Sequence, residues 1–186
     1  MAQKRPWPYD PRLRELLDRF LKMARIVRKP YAIGGALAMA AHGYQRQTTD
    51  VDAFLLEKDR WAWIRAAQKT GLTVDPVFRG HHYIAFLPEH GDPRVRIDLM
   101  FPAEASEVQA IRSPAAGEIG GVRAKVIKLE MMAVMKFLSD RPEDRHDFLA
   151  MLERGLFEPD TVRILIAHAE PGSLREFDRV VRAARR

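Results

Sequence analysis

The chain of 186 residues contains no cysteine, which excludes a disulfide framework and a thiolate zinc site. It has no apolar run long enough to span a bilayer, so no membrane association is expected. The first residues are basic but no apolar h-region follows them, so no secretory signal is expected and the cytoplasm is the default location. Internal repeats and low-complexity linkers are absent, and the six histidines show no metalloprotease spacing. No aromatic-interleaved nucleic-acid motif occurs either.

What remains is 47% hydrophobic and 30% charged, which suits one soluble domain with a sizeable core and a helical appendage. The net charge of +6 is unevenly spread. Residues 1–30 carry nine basic against three acidic residues, residues 171–186 five against two, and the middle is net acidic. Basic ends around an acidic centre suit a polyanionic partner such as RNA. They equally describe amphipathic helices with solvated, Arg-rich outer faces.

Asp10-Pro11 forms a cap followed by a first-turn proline, and Leu13, Leu16, Leu17, Phe20, Leu21, Ala24 and Val27 recur at helical spacing until Pro30. A strand at 31–33 leads through Gly34-Gly35 to a helix over 36–42, stopped by Gly43. A strand at 50–56 and a helix at 58–70 come next, with Trp61, Trp63 and Ile64 on the helix. Strand-like runs at 73–78, 82–87 and 94–101 read as a meander; Glu104–Arg112 reads as a short helix and Gly120-Gly121 as a hairpin turn. From 128 onward the pattern is helical, over 128–138, 142–154, 159–169 and 172–185, with Met131, Met132 and Met135 as core filling. Strands mixed with helices and then helices alone predict an α/β (α+β) fold, a mixed sheet with flanking helices and a helical C-terminal part.

The chemistry concentrates in residues 34–52. In an extended strand residues i and i+2 share a side, so Asp50 and Asp52 set two carboxylates together while Val51 and Ala53 face the other way. Like charges this close repel unless a cation lies between them, and a divalent metal is the usual partner of paired hard oxygens. An EF-hand loop is excluded, because Phe54, Leu55 and Leu56 stand where oxygen ligands and a glycine are needed. A glycine pair before a helix start lets backbone approach a phosphate closely. Further on, Arg94-Val95-Arg96-Ile97-Asp98-Leu99-Met100-Phe101 reads as a central strand holding one Asp, whose burial is costly unless it is paired or metal-bound. Asp98 is therefore the natural third ligand; the alternative is an ion pair with Arg96 or Arg123. His81-His82, in a strand, reads as neutral with respect to function, and His146 as an exposed first-turn residue.

The joint pattern resembles the nucleotidyltransferase superfamily, with its DNA polymerase beta-like fold: a Gly-rich turn, an Asp-x-Asp, and a third Asp on a neighbouring strand. Gly34-Gly35 with Arg46-x-Thr48-x-Asp50-x-Asp52 is most similar to the abortive-infection nucleotidyltransferase toxins of bacterial toxin–antitoxin pairs. Lys136 on one helix, then Arg141-Pro142-Glu143-Asp144-Arg145-His146-Asp147 opening the next, resembles a second block of that branch, a Lys followed by Arg-x-Lys-Asp-x-x-Asp. Two positions depart from the pattern. Ala36 stands where a Ser or Thr usually binds phosphate, and Glu143 replaces the Lys of the late block.

The resemblance implies a nucleotidyltransferase core over 1–127 and a helical part over 128–186 packed on it. It further implies Mg²⁺ or Mn²⁺ on Asp50, Asp52 and Asp98, with Asp98 also a general base. Gly34 and Gly35 would hold an NTP, and Arg46, Thr48, Lys136, Asp144 and Asp147 would line the nucleotide site, Lys136 as a phosphate cation. The implied acceptor is an RNA (tRNA included) or protein hydroxyl, with an antitoxin protein as a partner. The alternatives are a catalytically inactive nucleotide- or RNA-binding module, a small-molecule (antibiotic) nucleotidyltransferase, and a metal-dependent hydrolase.

Overall fold

A computed structural model describes residues 7–78 and 81–184. Residues up to Ala41 together with Gln45–Ile127 form one compact unit; His42–Tyr44 and the chain from Lys128 onward form a second. Among the described residues no helix is long and apolar enough to cross a membrane.

Among the described residues the first unit is built on a seven-stranded mixed sheet. In chain order its strands are β1 (Tyr31–Ile33), β2 (Asp50–Leu55), β3 (Thr73–Phe78), β4 (His82–Phe86), β5 (Arg96–Met100), β6 (Ala115–Ile119) and β7 (Val122–Val126). They lie in the order β3-β4-β5-β2-β1-β7-β6. β3, β4 and β5 form the expected antiparallel meander, and β6 and β7 the expected hairpin. Gly120 and Gly121 make that turn with φ of 52° and 81°, the two positive values a tight two-residue hairpin requires. β2 runs antiparallel to β1 but parallel to β5.

Alternation along β2 and β5 sets the two faces apart. Val51, Ala53, Leu55, Ile97 and Leu99 are fully buried, whereas Asp50, Asp52 and Arg96 on the other face are partly exposed. The helices of this unit are α1 (Pro11–Val27), α2 (Gly35–Ala41), α3 (Arg60–Lys69) and α4 (Ala105–Arg112). Asp10 caps α1, its side chain accepting from the Arg12 amide at 2.8 Å. Leu13, Leu16, Leu17, Phe20 and Met23 form the buried stripe of α1, and Phe20 stacks on Trp63 of α3 with ring centroids 5.7 Å apart.

Two details differ from expectation. α1 ends at Val27, ahead of Pro30, because Arg28 turns left-handed (φ 55°) and returns its amide to the Ala24 carbonyl. The helix expected over 58–70 begins as a 3₁₀ turn at Glu57–Asp59, and its Trp61 is 58% exposed beneath the Arg60 guanidinium.

The second unit is helical: α5 (Leu129–Leu138), α6 (Pro142–Glu153), α7 (Pro159–Ala169) and α8 (Leu174–Ala184), the last preceded by a 3₁₀ turn at Pro171–Ser173. Its core is aromatic. Phe137 lies 5.2 Å from Phe148 and 5.3 Å from Phe177, and Phe148 lies 5.6 Å from Phe157. Of the three expected core methionines only Met132 is buried; Met131 and Met135 stay partly exposed.

Candidate metal and nucleotide site

Parallel pairing of β2 with β5 decides the site. The register sets Asp50 opposite Arg96 and Asp52 opposite Asp98, so both pairs project from one face. One carboxylate oxygen from each of Asp50, Asp52 and Asp98 lies within 4.8 Å of the others. Asp98 is buried, and the two β2 carboxylates are half-buried.

Each carboxylate has local support. The Thr48 hydroxyl donates to Asp50 Oδ1. Asp98 Oδ1 lies 2.9 Å from His82 Nε2 and accepts from Arg96 Nε, also at 2.9 Å. Burial raises the Asp98 pKa, but the hydrogen bonds to His82 and Arg96, with the Arg96 charge, outweigh it and hold the group below the usual carboxylate range. The same bond, with the nearby Asp50 and Asp52 charges, pushes Arg96 above its ordinary value.

The glycine pair belongs to the same cluster. The Gly34 amide donates to the Asp52 carbonyl at 2.8 Å, extending the β1–β2 ladder by one bond. Gly35 opens α2 with φ of +56°, and a Cβ there would overlap the Asp52 carboxylate. A side chain at Gly34 would overlap the Phe54 ring. Ala36, at the usual hydroxyl position, is buried.

No family profile and no curated protein matches the sequence. Solved structures do share its architecture. The crystal structure of ANT(2'')-Ia in complex with adenylyl-2''-tobramycin superposes with a TM-score of 0.54 at 17% identity, over 92% of this chain and 95% of that one. The lincosamide antibiotic adenylyltransferase LnuA, lincomycin-bound, gives 0.53 at 11% identity, over 77% and 97%. An antigenic nucleotidyltransferase-like protein from Paracoccidioides brasiliensis gives 0.55 at 16% identity, over 91% and 94%. The chain has the nucleotidyltransferase fold.

Within this nucleotidyltransferase fold the structure brings together six of the residues singled out in the sequence: Gly34, Gly35, Thr48, Asp50, Asp52 and Asp98. Arg46 is partly exposed and donates Nη1 to the Gln47 carbonyl at 3.1 Å. The ion pair weighed as an alternative for Asp98 is also present, with Arg96, while Arg123 stands opposite Glu118 in the β6–β7 hairpin. His82 was missed. It lies opposite Met100, two residues beyond Asp98 on the same face, and only the β4–β5 register reveals that.

Within the helical unit Lys136, Asp144 and Asp147 form a constellation of their own. All three are buried, and the Lys136 ammonium pairs with Asp144 and, at 3.1 Å, with Asp147. Asp144 also accepts from Ser139 Oγ and Arg141 Nε, both at 2.7 Å. Burial raises the Asp144 pKa, yet its bonds to Lys136, Ser139 and Arg141 bring it below the ordinary value. The Lys136 charge is balanced by these two buried carboxylates, as a buried ammonium requires. Glu143 and His146 lie exposed on the outer side of the same turn.

Proposed function

We propose that the chain is a divalent-metal-dependent nucleotidyltransferase that moves a nucleoside monophosphate from an NTP to an acceptor hydroxyl. One observation carries this reading: three carboxylates from two parallel strands converge within 4.8 Å, against a glycine whose missing side chain leaves room for Asp52. The donor set fits the ion. Three half-buried or buried carboxylates offer hard oxygens at a spacing that Mg²⁺ or Mn²⁺ accepts. Asp50, Asp52 and Asp98 would hold the ion, which would supply neutralisation of phosphate charge and activation of the attacking hydroxyl.

The residues have distinct tasks. Asp50 and Asp52 hold the ion, each fixed from its own side, by Thr48 and by Gly34 and Gly35. Asp98 completes the set. Because His82 and Arg96 already hold its Oδ1, we assign it to charge placement ahead of general-base work. The acceptor oxygen bonds to the α-phosphorus as the bond to the β-phosphate bridge breaks, pyrophosphate leaves, and the hydroxyl proton passes to solvent. We assign the transferase core to residues 1–127 and a helical part to residues 128–186.

Resemblance to the toxin branch favours an RNA or protein hydroxyl as acceptor, and with it an antitoxin protein as partner. A small hydroxylated antibiotic is the second reading, favoured by the fold shared with ANT(2'')-Ia and LnuA. Each α-³²P-labelled NTP incubated with Mg²⁺ and, separately, total RNA, soluble protein, an aminoglycoside and a lincosamide tests both. The parent is expected to label the RNA or protein fraction and Asp52→Asn none; label confined to an antibiotic would move the acceptor to the second reading. Equal labelling by parent and variant would overturn the assignment. Nucleotide bound without transfer under every condition would favour an inactive binding module.

A further inference from the structure

The acidic face contains a cation of its own. Arg96 precedes Asp98 by two residues on β5, so both project from the same face, and the β2–β5 register sets Arg96 directly opposite Asp50. Its Nε bonds Asp98 Oδ1 at 2.9 Å, and its charge also acts on Asp50 and Asp52. Three carboxylates and one guanidinium leave two negative charges, which one divalent ion would balance. Without Arg96 the same three carboxylates would be mutually repulsive whenever no metal was bound.

We propose that Arg96 is a built-in counter-cation of the metal site: it keeps the three carboxylates assembled without metal and, by the same charge, holds down their affinity for a divalent ion. The inference rests on the metal-site reading above and adds what sets that site's occupancy. Arg96 and the ion are attracted by the same oxygens and repel each other, so whatever Arg96 contributes to the empty site it takes from the affinity of the filled one. Its side chain is 32% exposed, so solvent screens part of this repulsion and the effect on affinity is graded. His82 Nε2 lies 2.9 Å from the same Asp98 oxygen, a second contact on that carboxylate that does not involve Arg96. Loss of the Arg96 charge is thereby separable from loss of the ligand geometry.

Mn²⁺ binding by calorimetry and thermal unfolding with and without Mn²⁺, on the full chain, test the proposal. Arg96→Gln is expected to bind Mn²⁺ about tenfold more tightly, the size of effect that one nearby, largely solvent-screened charge produces. Its metal-free Tm should fall by a few degrees, roughly what the loss of a partly exposed charged hydrogen bond does to a domain of this size. Its gain in Tm on adding Mn²⁺ should exceed the parent's. Arg96→Lys, which keeps the charge, should stay within about twofold of the parent's affinity. Unchanged or weaker Mn²⁺ binding by Arg96→Gln overturns the proposal. If that variant folds only with Mn²⁺, the ion has replaced the guanidinium, as proposed. If it folds under neither condition, Arg96→Met, which keeps the apolar stem, is measured in its place. Failure of that variant too, with Mn²⁺ present, overturns the exchangeable role. Asp52→Asn separates the two levels of inference. A parent with no saturable Mn²⁺ binding defeats the metal-site reading itself. A parent that binds, beside an Asp52→Asn that does not and an Arg96→Gln equal to the parent, defeats only the role of Arg96.

Discussion

At the residue scale, Gly35 carries two demands at once. Its φ of +56° costs an ordinary L-residue about 1–2 kcal/mol, and a Cβ there would also overlap the Asp52 carboxylate. Gly91 separates these effects, because it has a similar φ of +64° and nothing within reach of an added Cβ. Gly91→Ala should therefore lose only the backbone cost in urea, and Gly35→Ala more than that. Only Gly35→Ala should also lose Mn²⁺ binding and labelled-nucleotide transfer, by about tenfold or more if Asp52 is displaced by about an ångström. Equal Mn²⁺ affinity in the two variants would reduce Gly35 to a turn residue. Asp50 and Asp52 were legible as a pair because strand geometry is local. Asp98 stood out as a lone acid among Ile97, Leu99 and Met100. His82 was not legible, since nothing within β4 states which residue of β5 it will face.

At the element scale, the strands and helices were legible wherever turn chemistry and periodicity agreed, as at Asp10-Pro11 and Gly120-Gly121. Arg28 was not: a left-handed arginine ending α1 contradicts local propensity. The α5–α6 turn was also opaque, because Lys136 alone reads as a cation on an apolar helix. Its partner Asp144 lies eight residues on, and only the fold-back through Ser139–Arg141 joins them. That network ties α5 to α6 and predicts a pH dependence. Asp144 is held below its ordinary pKa in the folded state, so its contribution is complete above the unfolded value of about 3.9 and is lost as pH falls through the folded value. Asp144→Asn should cost about 3 kcal/mol at pH 7, with Lys136 still paired to Asp147. Urea midpoints measured down to pH 3 should show parent and variant converging as acid is added. A difference that stays constant over that range would show that the charge of Asp144 contributes nothing.

At the scale of the whole molecule, mixed sheet and helical remainder followed from the order of strand-like and helix-like segments. The strand order did not, because pairing β2 with β5 skips β3 and β4 and leaves no local trace. A metal held by Asp50, Asp52 and Asp98 should bind only the folded chain and stabilise it. At a hundredfold excess over its dissociation constant the gain is about 2.7 kcal/mol, a rise in Tm of roughly 5–10 °C for a chain of this size. Scanning fluorimetry with Mg²⁺ and Mn²⁺ should show this rise in the parent and a much smaller one in Asp50→Asn. Equal shifts in the two would place the metal elsewhere.

The pairing of β2 with β5 also has a consequence for when the acidic cluster can assemble. Residues 56–95 separate the two strands, so a ribosome has finished Asp50 and Asp52 well before Asp98 leaves its exit tunnel. Until β5 docks, the emerging chain holds two of the three acids and none of the arginine beside them. The growing polypeptide therefore lacks the complete set of carboxylates, and a transcript truncated before codon 98 encodes a chain without the third one.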